Sequence, residues 1–455
     1  MTIQNSKRIK LQKIFNPKAV AIIGATDRPG SVGRGLCKNL LEGKNKRKIY
    51  FVNPFKNKVF GIKTYPKITD IKERVDLAII AVPAKIVPEV AKDCARKKVL
   101  GVIIISSGFA ETGEQGKKLQ NEVKKILKDI FLIGPNCLGV INPFIKLNAS
   151  FAPQTPQKGE IAFISQSGAL IDSVIDKSLD ENYGFSWIIS YGNEAGLTLT
   201  DFLEFVYQDK NTKTIALYLE GVKEGRKFYQ TLRKITPKKP VVILKGGKTK
   251  LSQKAVSSHT GSLAGEKEIY SAVFKQAGAI EVESVEEMFD VAKALSWLPQ
   301  CKNGIGIITN GGGAGILTTD YCQSFGIKLP KLKEKTIRKI NLSSVIPSHW
   351  SKNNPVDIIG DALSNRYKIA IEALLSQKNI YGLIVIQTLQ IMTQPLENAK
   401  IIIEAKKRWK EKPIICVFMG GKNVKKAVKL LEKNKIPNYP DPLRAVRAMR
   451  TLVSG

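Results

Sequence analysis

Short apolar runs, separated by amphipathic stretches and small-residue turns, recur along the whole chain, and this alternation leaves little freedom of fold. Runs at 19–23, 49–52, 77–82, 102–105 and 131–133 have the length of strands, and stretches such as 87–96 and 116–127 between them read as helices. Apolar strands alternating with helices predict a parallel sheet covered on both faces. The pattern restarts after Pro153 and Pro156, with runs at 161–164, 187–190, 215–219 and 241–244. It restarts again near Asn303, with runs at 305–309, 383–387 and 414–418. The expectation is an α/β chain of three consecutive doubly wound parallel-sheet domains, at 1–145, 158–298 and 303–455. A length of 455 residues accommodates several such domains.

Composition narrows the setting. No apolar run approaches the roughly 20 residues that span a bilayer, so no membrane segment is expected. The basic start (Lys7, Arg8, Lys10, Lys13) is followed by a short apolar run that gives way to Asp27 and Arg28, which argues against a signal peptide. Six scattered cysteines without a Cys-x-x-Cys pair suit reduced thiols in a cytoplasm. The net charge of +34 invites a nucleic-acid reading. The lysines are spread along the chain rather than gathered with interleaved aromatics, so phosphorylated ligands or an acidic partner subunit explain the excess better.

In the first unit the opening turn runs from Gly24 through Thr26, Gly30, Ser31 and Val32 to Gly33 and leads into a helix, whose first amides suit a phosphate. Its spacing is Gly-x5-Gly-x2-Gly rather than the dinucleotide Gly-x-Gly-x-x-Gly. The end of the second strand reads Asn53-Pro54-Phe55-Lys56, with no carboxylate to grip a ribose. That disfavours a nicotinamide-dependent dehydrogenase, and Lys56 suits a ligand with additional phosphates such as coenzyme A. Other strand ends reach the same edge: Val82-Pro83, Ser106-Ser107-Gly108 and Gly134-Pro135-Asn136-Cys137. Carboxyl ends of strands form the ligand crevice of a doubly wound sheet. Cys137, with no histidine near it in sequence, reads as a small buried residue rather than a nucleophile.

In the second unit Ser165-Gln166-Ser167-Gly168 opens a helix after a strand. It lacks the first glycine of a hydrolase nucleophile elbow and reads instead as amides suited to phosphate. Asn193, in Gly192-Asn193-Glu194, ends the next strand and would line the same pocket. Glu220 ends the third and could fix an imidazole tautomer or simply sit in a surface turn. Gly246-Gly247-Lys248-Thr249 ends like a P-loop, but Val242 stands where the leading glycine belongs. The segment Ser257-Ser258-His259-Thr260-Gly261-Ser262 then carries one of the only two histidines in the chain. A base, a metal ligand, a phosphoryl acceptor and an idle surface residue are the roles open to it. Metal ligation lacks further ligands, and His349 lies far off in sequence, so no metal site is expected. A phosphoryl acceptor needs a carboxylate, phosphate-binding amides and freedom to move, and this unit supplies candidates for each. In the third unit Asn310-Gly311-Gly312-Gly313 opens another helix, as a phosphate site or as close packing.

Taken in order, the 24–33 turn, Gly134-Pro135-Asn136-Cys137, Ser165-Gln166-Ser167-Gly168, Ser258-His259-Thr260-Gly261-Ser262 and Asn354-Pro355-Val356-Asp357 resemble the α subunit of NDP-forming acyl-CoA synthetases, most closely the archaeal ADP-forming acetyl-CoA type, related to succinyl-CoA synthetase. The resemblance implies a Rossmann-like CoA-binding domain followed by two flavodoxin-like domains. It implies the reaction acyl-CoA + ADP + phosphate ⇌ acid + CoA + ATP, through an acyl phosphate and a phosphohistidine on a mobile loop. His259 would take the phosphoryl group, steadied by Glu220, with Gln166, Ser167, Gly168 and Asn193 at the phosphate. The CoA residues would be Gly24, Thr26, Gly30, Ser31, Val32, Asn53, Pro54, Lys56, Val82, Pro83, Ser106, Ser107, Gly108 and Asn136. The ATP-grasp domain has no counterpart in the chain, which implies a separate β subunit, an α2β2 assembly, and Mg2+ with ADP or ATP on that partner. A catalytically inactive CoA- or nucleotide-binding regulator of the same fold is the alternative.

Overall fold

A computed structural model describes residues 11–253, 256 and 266–454. It divides into two compact units, Met1–Asp180 with Gly184–Glu283, and Glu181–Tyr183 with Ser284–Gly455. The first unit holds two seven-stranded sheets and the second a four-stranded sheet with a small two-stranded one.

The first sheet contains β1 (Ala19–Ile23), β2 (Lys48–Val52), β3 (Lys58–Val59), β4 (Ile62–Tyr65), β5 (Leu77–Ile80), β6 (Gly101–Ile104) and β7 (Phe131–Ile133), in the order β3-β4-β2-β1-β5-β6-β7. All neighbours run parallel except the β3–β4 hairpin. Period-two alternation sends side chains into two cores. Val20, Ile22, Leu77 and Ile79 join one with Leu36 and Leu40 of the helix Val32–Glu42. Ala19, Ala21, Ala78 and Ile80 join the other with Val87, Ala91 and Cys94 of the helix Val87–Lys97. Both faces are dry, which is why these strands are apolar throughout.

The second sheet contains β8 (Gly139–Asn142), β9 (Leu147–Ser150), β10 (Lys158–Ser165), β11 (Phe185–Ser190), β12 (Thr214–Leu219), β13 (Val241–Lys245) and β14 (Ile280–Val282), in the order β14-β13-β12-β10-β11-β8-β9. Its centre is parallel, while β8 and β9 form an antiparallel edge. In both sheets the chain steps outward on one side of a central strand and then on the other. The reversals lie between β1 and β5 and between β10 and β12, and crevices open at such points. In the second unit Val356–Asp357, Ile305–Thr309, Gly382–Gln387 and Ile414–Phe418 form a parallel sheet in that spatial order.

The two sheets of the first unit are joined by peptide groups. Leu197 N donates to Leu132 O at 2.8 Å, Ala195 N to Gly134 O at 3.0 Å and Asn193 N to Pro135 O at 2.9 Å. The Ser190 hydroxyl accepts from Leu138 N at 3.0 Å. Gly192 makes this seam possible: its φ is +55°, and a Cβ there would lie 2.2 Å from Pro135 O and 2.4 Å from Asn136 O. We predict that Gly192→Ala costs about 2–4 kcal/mol, from backbone overlap added to left-handed strain. Gly225→Ala, at a helix start with no atom within 4 Å, should change stability by less than about 1 kcal/mol. Urea unfolding midpoints check the pair.

Candidate functional site

A cleft of about 600 Å3 opens where the strand ends of the two sheets meet along the seam. Val32, Val82, Pro83, Ser106, Ser107 and Asn136 line it from the first sheet, and Gln166, Ser167, Gly168 and Asp172 from the second. The sequence reading expects all of these except Asp172 at one of two ligands, CoA or phosphate, and the structure brings them to one space.

Local geometry explains each wall. Gly24 has φ +93°, and a Cβ there would strike Ala81 O at 2.3 Å, so only glycine lets β1 turn this close to β5. Ser31 caps the following helix, its hydroxyl accepting from Arg34 N at 3.4 Å and donating to Arg28 O at 2.7 Å. Thr26 Oγ1 accepts from Arg28 N at 3.2 Å. Asn53 braces the same turn by donating to Ala25 O and accepting from Phe55 N, both at 2.8 Å. Gly24, Thr26, Gly30, Ser31, Asn53 and Pro54 thus shape or flank the turn, while Val32 reaches the cleft wall. Lys56 is ion-paired with Asp27, and this bond holds the Asp27 carboxyl below its ordinary range.

On the opposite wall the helix Gly168–Asp180 starts at the cleft. Its first amides have no acceptor within the helix, which suits an anion. Ser167 supports the turn: its N donates to Ser165 Oγ at 3.1 Å and its Oγ accepts from Leu170 N at 3.3 Å. A Cβ on Gly168 would sit 3.3 Å from Leu138 Cβ, so a larger residue there would have to push Leu138 aside by a few tenths of an ångström. Gln166 links the cleft to Glu220, because its Oε1 accepts from Glu220 N at 2.9 Å. Glu220 is 7% exposed, and its Oε1 accepts from the Tyr218 hydroxyl at 3.4 Å. Burial and that carboxylate push the Tyr218 phenol up to about 12. His259 lies outside the described residues.

Two residues expected at the ligand have side-chain or main-chain bonds of their own. The Asn193 amide donates to Glu111 and, at 3.0 Å, to Gln120 Oε1, and its Oδ1 accepts from Asn136 at 3.3 Å. Gly108 N donates to Glu111 Oε1 at 2.6 Å. Burial alone would raise the Glu111 carboxyl, but the bonds from Asn193 and the Gly108 and Phe109 amides leave it below its ordinary value. These contacts brace the seam beside the cleft. His349 is exposed, and no cluster of three metal-ligating side chains occurs among the described residues. In the second unit the Asn310–Gly313 turn leans toward close packing: Cβ atoms on Gly311 and Gly315 would meet Thr388 and Thr309 at 2.9 Å.

Sequence reasoning missed Asp172, the one carboxyl among the lining residues, whose burial raises its pKa. It also missed Lys245, which lies 2.7 Å from Glu220 O. The only trace of Lys245 in the sequence is a cation closing the otherwise apolar run Val241–Leu244.

Family models match the chain end to end: a CoA binding domain at 18–143, a succinyl-CoA ligase like flavodoxin domain at 158–295 and a ligase-CoA domain at 305–449. The α subunit of acetate–CoA ligase [ADP-forming] II from Pyrococcus furiosus is 42% identical over 449 residues, covering 97% of each chain. The chain belongs to the ADP-forming acetate–CoA ligase family. Two further family members, acetate–CoA ligase [ADP-forming] from Methanocaldococcus jannaschii (45% identical) and ligase I from Archaeoglobus fulgidus (42%), are longer, and the chain spans 63% of each. The dinucleotide-forming acetyl-coenzyme A synthetase 1 of Ca. Korarchaeum cryptofilum, solved with phosphate and ADP, superimposes with a TM-score of 0.91 at 38% identity, covering 97% of this chain and 96% of that one.

Within this ligase-family cleft Cys137 is 5% exposed, and burial pushes its thiol up to about 12. At about pH 8 only about one thiol in 10^4 would be thiolate, too few for a nucleophile. Iodoacetamide should therefore leave Cys137 unmodified in the folded chain and label it after denaturation, as read by peptide mass spectrometry.

Proposed function

We propose that the chain is the α subunit of an ADP-forming acyl-CoA synthetase, converting acyl-CoA, ADP and phosphate to acid, CoA and ATP. The observation that carries this reading is the single cleft, with thioester-side and phosphate-side residues facing each other and Gln166 tied to Glu220. The relatives named as acetate–CoA ligases, two of them as α subunits, support it.

CoA would enter along the Gly24–Val32 turn, Asn53-Pro54-Lys56, Val82-Pro83 and Ser106-Ser107-Gly108, with its thioester near Asn136. Phosphate would sit on the Ser167 and Gly168 amides beside Gln166, with Asn193 bracing the wall behind. A phosphate oxygen attacks the thioester carbonyl, the C–S bond breaks, and the thiolate leaves to take a proton. An imidazole nitrogen of His259 then attacks phosphorus, and the P–O bond to the acyl group breaks, releasing the carboxylate. Glu220 holds the opposite ring nitrogen and so favours the nucleophilic tautomer. A covalent phosphohistidine divides one difficult transfer into two easier ones.

Transfer to ADP would take place on a separate β subunit with an ATP-grasp domain, in an α2β2 complex, with Mg2+ bound there alongside the nucleotide. The described residues of this chain offer no ligand cluster for that ion. Residues 1–145, 158–298 and 303–455 would form the CoA, phosphohistidine and ligase-CoA domains of a cytoplasmic enzyme. A regulator without turnover is disfavoured, because relatives named as ADP-forming acetate–CoA ligases are 42–45% identical over nearly the whole of this chain.

Incubation with acetyl-CoA and phosphate should place an acid-labile phosphoryl group on His259, read by mass spectrometry. His259→Ala should abolish ATP formation while changing CoA affinity by no more than a few-fold. ATP synthesis at the normal rate by that variant, with its partner subunit present, would overturn the carrier role.

A further inference from the structure

Lys245 ends β13, paired in register with Leu219 of β12, and is 3% exposed. Its ammonium donates to Glu220 O at 2.7 Å and to Gly246 O, and it lies 4.7 Å from the centroid of the Tyr270 ring. The Tyr270 hydroxyl in turn accepts from Val222 N at 3.1 Å. One buried cation therefore grips the turn after β12 at Glu220 directly and at Val222 through the ring. It also roots the backbone at Gly246, where the chain sets out toward His259.

Burying an ammonium costs several kcal/mol even when its hydrogen bonds are satisfied. A neutral donor could satisfy the same two carbonyls, so what a lysine adds is its charge. The charged and titratable groups facing Lys245 are Glu220 from the end of β12, Tyr270 from the helix Lys267–Gln276, Glu281 from β14 and Lys248. Lys248 is itself paired with Glu281 at 3.2 Å and Glu283 at 2.9 Å. The field of Lys245 is thus directed chiefly at the turn that carries Glu220.

We propose that Lys245 is a positioning residue for phosphoryl transfer, locking the Glu220–Val222 turn that carries the carboxylate and offsetting the negative charge gathered there when phosphorus arrives. The proposal rests on the reading of Glu220 given above. Burial pulls the Lys245 ammonium down to about 8, opposed by the attraction of Glu220. Its charge, and the transfer rate with it, is full below that value and lost as pH rises through it. Stability moves the other way: the folded pKa lies below the unfolded one, so between the two this group's contribution to stability grows with pH. A loss of stability at this group is therefore not the source of an alkaline fall in rate near pH 8.

The test uses the full chain with its partner subunit, measuring phosphohistidine formation from acetyl-CoA and phosphate, and CoA affinity, from about pH 6 to about pH 10. Lys245→Met should slow phosphohistidine formation about 10- to 100-fold, keep CoA affinity within about 3-fold and erase the alkaline fall. Lys245→Arg, whose charge does not titrate in this range, should recover part of the rate and also lack the fall. Tyr270→Leu removes the ring from the ammonium and should move the fall to lower pH; should Lys245→Met not fold, this variant decides. A normal rate and profile in Lys245→Met, or an unshifted fall in Tyr270→Leu, overturns the proposal. Glu220→Gln separates the two readings: if it forms phosphohistidine normally, the role of Glu220 fails, whereas a crippled Glu220→Gln beside a normal Lys245→Met sinks the Lys245 proposal alone.

Discussion

The seam of main-chain hydrogen bonds between the 132–135 and 193–197 segments sets everything else in the first unit. Carbonyls of Leu132, Gly134 and Pro135 receive the amides of Leu197, Ala195 and Asn193, and this fixes how far apart the strand ends of the two sheets stand. Neither wall alone encloses a ligand. The β1 turn offers a crevice open on one side, and the helix starting at Gly168 offers amides without a facing surface. Held at one separation, they become one cleft, and walls fixed in this way replace a rare encounter between bound groups by a set geometry.

Electrostatics are divided between two depths. Among the described residues that line the cleft Asp172 is the carboxyl, and the open amides at the Gly168 helix start suit an anion there. The positive charge is placed behind, at Lys245 beneath the Glu220 turn. There its ammonium bonds the Glu220 carbonyl and lies against the Tyr270 ring.

Much of this was legible in the sequence, for identifiable reasons. Strands buried on both faces must be apolar, so β1, β5, β6, β10 and β12 stand out as runs, and glycines such as Gly24 mark where strand meets turn. The β8–β9 hairpin was not legible. Gly139-Val-Ile-Asn142 and Leu147-Asn-Ala-Ser150 are short and interrupted by asparagine, and the stretch reads as the tail of the first unit and a linker. It pairs instead with β11 as an antiparallel edge of the second sheet. Asn193 reads as a ligand residue because it follows a strand. Its partners Glu111 and Gln120 lie 82 and 73 residues away, and only the fold brings them to it. Lys245 was hidden for a related reason: a lysine closing a strand reads as a solvated end until the Tyr270 ring is seen over it.

The basic composition has a consequence for how anions reach the protein. A surface of net charge +34 gathers every polyphosphate in the surroundings, and that gathering weakens as salt rises. Ionic conditions can therefore retune how fast anions arrive without altering the backbone seam that shapes the cleft.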